Sequence, residues 1–111
     1  MPELTKPYEI YEWKDGETKE FTIERWEEGE VEIHPRDGRP PKMAPVLRIH
    51  VPMEEKPTFP YYWDLTSTRL TAQLRSILGT HVGARRRVKI TAIGEAPLTH
   101  YSVTWVPEAL R

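Results

Sequence analysis

Seven side chains in this sequence could hold a single-stranded nucleic acid: Arg48, His50, Tyr62, Arg85, Arg86, Arg87 and Lys89. That chemistry needs cations that track phosphates and an aromatic ring on which a base can stack, a contact worth about 1–3 kcal/mol per base. Arg48 and His50 alternate on one segment, Tyr62 lies on the next, and Arg85, Arg86, Arg87 and Lys89 lead into a third. Arg69 and Arg75 add positive charge on an intervening segment. Catalysis has no comparable set. His34, His50, His81 and His100 never fall three or four residues apart, and no glycine-rich phosphate loop, nucleophile elbow or zinc-protease helix is present. The reading is therefore non-enzymatic, with no catalytic residue, metal ligand or cofactor assigned. The absence of cysteine removes thiolate chemistry and Cys-based zinc sites.

The elements that position these residues are short strands around one helix. In "PVLRIHVPM", Leu47, Ile49 and Val51 share one face while Val46, Arg48 and His50 share the other, the period of a half-buried strand. "ARRRVKITAIG" does the same, with Val88, Ile90 and Ala92 opposite Arg87, Lys89 and Thr91. In "YYWDL", Tyr61 and Trp63 share a face and read as core, which leaves Tyr62 exposed beside Arg48 and His50. "TSTRLTAQLRSILG" carries Leu70, Leu74, Ile77 and Leu78 on one helical stripe, with Thr66, Ser67 or Thr68 as N-cap and Gly79 as the stop. "THYSVTWVP" alternates again and follows the turn "GEAPLT". Nearer the N-terminus, Asp15-Gly16 reads as a hairpin between Tyr8/Ile10 and Phe21/Ile23, and Glu28-Gly29 as a second turn. "HPRDGRPPKMAP" is a long loop and "EEKPTFP" a proline-broken connection.

This order predicts a mainly β chain with one helix, arranged as a small five-stranded OB-like barrel whose helix lies between strands three and four. Strand one falls within 17–34, and strands two to five at 45–52, 59–65, 86–93 and 100–106. Residues 8–14 form an N-terminal strand extension pairing at an edge. An SH3-like barrel and a split sheet with the helix across one face are the alternatives. The 111 residues make one domain, 1–111, of which 1–16 is the extension.

Charge is uneven along the chain. Residues 1–32 hold eleven acids against four bases, and the remainder six acids against twelve bases. Such asymmetry points to a polyanion partner or to an interaction surface. It equally fits acids and bases that interleave on the folded surface. No apolar run is long enough for a membrane span and no secretory leader is visible, so the expected compartment is cytoplasmic.

Two blocks, "PYYWDLTSTRLTAQL" and "VKITAIGEAPLTHYSV", resemble OB-type single-stranded DNA-binding proteins of phages and mobile elements. A strand ending in Trp-Asp precedes a leucine-rich helix, and the final hairpin matches at Ile90, Thr91, Gly94, Thr99, Tyr101 and Val103. The resemblance covers the C-terminal half and implies DNA binding by a β-barrel. The acidic N-terminal third departs from that pattern. The competing expectation is a protein–protein interaction module, an adaptor or inhibitor, whose acidic third, including Glu27 and Glu28, meets a basic partner. Exposed edge strands leave room for a homodimer.

Overall fold

The computed structural model describes residues 2–34, 37–79, 86–94 and 98–106. Among these, six strands and one helix follow in the order β1 (Thr18–Ile23), β2 (Arg25–Ile33), β3 (Lys42–His50), β4 (Tyr62–Leu65), α1 (Thr68–Gly79), β5 (Arg86–Ile93) and β6 (His100–Val106). They form two separate three-stranded antiparallel sheets, ordered β1-β5-β6 and β2-β3-β4. The expected closed five-stranded OB-like barrel is not formed.

The reason lies at the edge where closure would occur. β4 has four residues, and its outer edge is occupied by the chain's own N-terminal segment: the Asp64 amide donates to Glu9 O (2.7 Å), and the Tyr11 amide to Asp64 O (3.1 Å). Carbonyls of the β6 segment are taken by α1, with Gln73 Nε2 donating to Tyr101 O (3.1 Å) and Arg69 Nη1 to Thr99 O (3.5 Å). With these groups already satisfied, β4 and β6 do not join.

Two turn readings also change. Glu28-Gly29 is no turn but the middle of β2, paired with Leu47 and Val46. Asp15-Gly16 does turn, with Gly16 at φ 81°, but residues 9–11 leave it to pair with β4 rather than with β1. β1 pairs instead with β5, Phe21 opposite Val88. A single residue, Glu24, separates β1 from β2, so nearly continuous chain serves both sheets.

The core lies between the sheets and beneath α1. Phe21, Ile23, Leu47, Ile49, Val51, Leu65, Leu70, Leu74, Leu78, Val88 and Ile90 are buried there, with Tyr11, Trp13, Trp26, Trp63, Ile77, Tyr101 and Val103 packed around them. The helix forms because its leucines recur on one stripe. Ser67 caps it by accepting the Leu70 amide on Oγ (3.3 Å). Trp63 packs on this core, but Tyr61 is 38% exposed because it belongs to the loop before β4 and not to the strand.

The other face of β2-β3-β4 is also covered. Residues 2–4 pair with the outer edge of β2 (Leu4 amide to Glu30 O, Glu30 amide to Pro2 O, both 2.9 Å), and residues 9–11 with the outer edge of β4. The intervening residues cross the face as a strap. Leu4 enters a second small cluster with Val31 and Val46, flanked by Tyr8 and Ile33. Gly29 makes room for it, since a Cβ there would lie 2.7 Å from Leu4 Cγ and from Pro2 O. Among the described residues no helix is long and apolar enough to cross a membrane.

Candidate functional site

The strap decides the fate of Arg48, His50 and Tyr62. The period of two puts them on the same face, as expected, but the strap covers that face. Arg48 is 2% exposed, and its guanidinium forms a bidentate pair with Asp64, itself fully buried, at 2.7 and 3.1 Å. Its third nitrogen donates to Thr5 O of the strap (2.8 Å), and the group lies 3.9 Å from the Tyr62 ring centroid. Burial alone would lower the Arg48 pKa; hydrogen bonding to Asp64 reverses that and holds it above the ordinary value. Tyr62 is half-buried and donates its hydroxyl to Pro7 O (2.5 Å). Desolvation raises its pKa, so the hydroxyl stays protonated and keeps that bond. His50 Nε2 meets Glu27 Oε2 at 2.6 Å, a contact that pulls the Glu27 carboxyl below its usual range against the opposing effect of burial. These three residues are brought together, but as a paired and largely enclosed cluster.

The second basic group splits across its sheet. Arg87 and Lys89 share the outer face of β5, whereas Arg86 is buried on the inner side, 5.8 Å from the Trp105 ring. Arg87 is bonded to Glu20 (2.9 Å) and Thr22 Oγ1 (3.2 Å), with Glu55 at 3.6 Å. Lys89 is exposed, with Glu20 opposite it on β1 and Thr104 on β6. Arg85 lies outside the described residues. Arg75, on α1, pairs with Glu28 at 2.5 Å. Acids of the first third thus interleave with bases of the remainder. The acidic third is not a free block either, because Glu27 and Glu28 are both engaged.

The proline-broken connection after β3 is a built surface feature. After Val51 the chain turns at Pro52, whose carbonyl accepts the Glu55 (3.0 Å) and Lys56 (3.3 Å) amides. Lys56 then points inward and is buried. Its ammonium donates to Thr58 O (3.0 Å) and Pro60 O (2.5 Å), sits 4.8 Å from the Trp63 ring, and faces Glu9 at 3.6 Å. Glu55 accepts the Thr22 amide (2.9 Å) and ties the loop to β1. Outside this scaffold stand Met53 (59% exposed), Phe59 (67%) and Tyr61, the last two rings edge to face at 6.0 Å. A buried ammonium carries a large desolvation cost unless hydrogen-bonded, and here its bonds go to carbonyls of its own loop. Three proline positions in nine residues and a lysine among them were the available signal; nothing local announced that the lysine turns inward.

Among the described residues no group of three His, Asp or Glu side chains could hold a metal ion. No known protein family, curated protein or solved structure matches the chain.

Proposed function

We propose that this chain is a protein-interaction module that docks through the loop 52–61, with Met53, Phe59 and Tyr61 as its anchors. The observation that carries the reading is the combination of three exposed apolar side chains with a loop fixed from inside by Lys56. Aromatic residues and methionine are enriched at protein interfaces, and anchors held in place before binding lose little entropy on docking. The loop's exposed charge, Glu54, beside a buried Lys56, does not favour a polyanion. It suits a partner with an apolar recess and basic rim, in keeping with an adaptor or inhibitor.

A photo-crosslinking phenylalanine analogue at position 59, in cells that express the protein naturally, tests the reading. One discrete protein adduct is expected at 59 and none at Thr104, exposed on the opposite sheet. Lys56→Met, which loosens the loop while leaving the anchors, should weaken the adduct. Equal labelling at both positions, or none at 59, would refute the reading. Single-stranded DNA binding is the second reading, supported by the exposed Lys89 on β5. A fluorescence titration with oligo-dT at low and high salt separates the two, since that reading requires micromolar binding with a steep salt slope.

A further inference from the structure

A cleft of about 270 Å³ opens where β4 and β6 fail to join. Tyr11, Trp13 and Tyr101 supply aromatic walls, Ile10 an apolar one, Thr66, Ser67 and Thr99 the hydroxyls, and Glu12 a carboxylate. The rings are fixed without any ligand. Trp13 lies 4.5 Å from Tyr11 at 53° and 5.8 Å from Tyr101 at 72°, so the walls are inclined to one another rather than stacked flat. Phe21 backs both Tyr11 and Trp13 edge-on. The Tyr11 hydroxyl is committed to Glu17 Oε2 (2.6 Å), and the Tyr101 carbonyl to Gln73.

Two properties select a ligand. Aromatic rings attract a cation, most strongly tryptophan, and the attraction is well suited to quaternary ammonium heads. Glu12 is exposed and, among the described residues, in no ion pair, whereas the Arg69 guanidinium stands at the Thr99 wall, so the negative charge of the cleft is on the Glu12 side. The start of α1 borders the other side, where the helix dipole disfavours a cation, and this places a positive head on the Glu12 side. The volume suits one compact head group and is too small for a drug-sized molecule.

We infer that this cleft is a binding site for an organic cation of the alkylated-ammonium type, held by Tyr11, Trp13 and Tyr101 and neutralised by Glu12. The head could belong to a free small molecule or to a methylated lysine of a protein; the chemistry of recognition is the same. The site is separate from the loop 52–61, so either can fail without the other.

The test is an amide-correlation NMR titration of the full chain with choline, with its neutral isostere 3,3-dimethylbutan-1-ol, and with a short peptide bearing trimethyllysine. Saturable shifts confined to residues 10–13, 66–67 and 99–101 are expected, with the isostere bound about fivefold or more weakly than choline. Stronger binding of choline than of the peptide assigns the site to a small molecule, and the reverse to a side chain. Glu12→Gln, at an exposed position that leaves the fold alone, should weaken binding about threefold to tenfold and reduce its salt dependence. Trp13→Leu should abolish it; circular dichroism serves as the control for folding. Equal binding of choline and its isostere, unchanged affinity in Glu12→Gln, or no saturable shift at tens of millimolar would overturn the inference.

Discussion

Replacing Arg48 by methionine separates two views of this residue by a wide margin. If Arg48 were a solvent-facing contact for phosphates, its loss would leave stability within about 0.5 kcal/mol of the parent. The structure demands far more. Arg48→Met leaves the fully buried Asp64 carboxylate with, among the described residues, only the Glu9 amide as a hydrogen-bond donor (2.9 Å), and strips Thr5 O of its guanidinium partner. Breaking a buried ion pair on one side costs about 3–5 kcal/mol. That is a large part of the roughly 5–15 kcal/mol that holds a typical domain together. In urea denaturation, with a slope of about 1–3 kcal/mol per molar, the midpoint should fall by about 1–5 M. The double variant Arg48→Met/Asp64→Leu removes both charges and should recover most of that loss, leaving the Glu9 amide and Thr5 O without these partners as the residual defects. A single variant as stable as the parent, or a double variant showing the plain sum of two large losses, would refute the placement of the pair.

Two further outcomes follow from the strap and its surroundings. Gly29→Ala puts a methyl group 2.7 Å from Leu4 and Pro2 O, so the first anchor must lift. Hydrogen exchange should show the Leu4 and Glu30 amides losing protection, while the Asp64 amide, bonded to Glu9 at the second anchor, keeps it. The His50 contact lowers the Glu27 pKa from 4.5 in the folded state, so its stabilisation is complete above pH 4.5 and is lost as the pH falls through the lower folded value. Glu27→Gln should flatten the acid limb of a stability-versus-pH curve measured by urea titration, and an unchanged limb would exclude this contact as its source.

Local periodicity carried much of the secondary structure. The leucine stripe and its serine cap mark α1, and alternation in 86–93 and 100–106 marks β5 and β6, because each pattern reports which face a segment buries. Closure was not legible. Whether β4 meets β6 depends on which segment satisfies the edge of β4, and the answer comes from Glu9 and Tyr11, 55 residues away in the case of Glu9 and Asp64. The same distance hid the site. Parity correctly put Arg48, His50 and Tyr62 together on one face, but parity says nothing about what lies over it. Lys56 is the opposite case: its partners Thr58 O and Pro60 O are local, but nothing in the residue types of the loop shows that the lysine turns inward beside Trp63.

The strap also constrains how the chain acquires its structure. Residues 2–11 are synthesised before β2, β3 and β4, yet their anchors are Glu30 on one edge and Asp64 on the other. The second anchor cannot form until residue 64 is available and β4 has joined β3. Contacts of such wide sequence separation carry a loop-closure cost before they return any stabilisation. The segment made before the sheet therefore docks after it. Until it does, both outer edges of that sheet are open templates for another chain, and Arg48 and Asp64 lie under water rather than under the strap. Refolding at rising protein concentration should accordingly lose yield at this stage, and any variant that slows docking, Gly29→Ala among them, should aggregate more readily than its native-state stability alone would suggest.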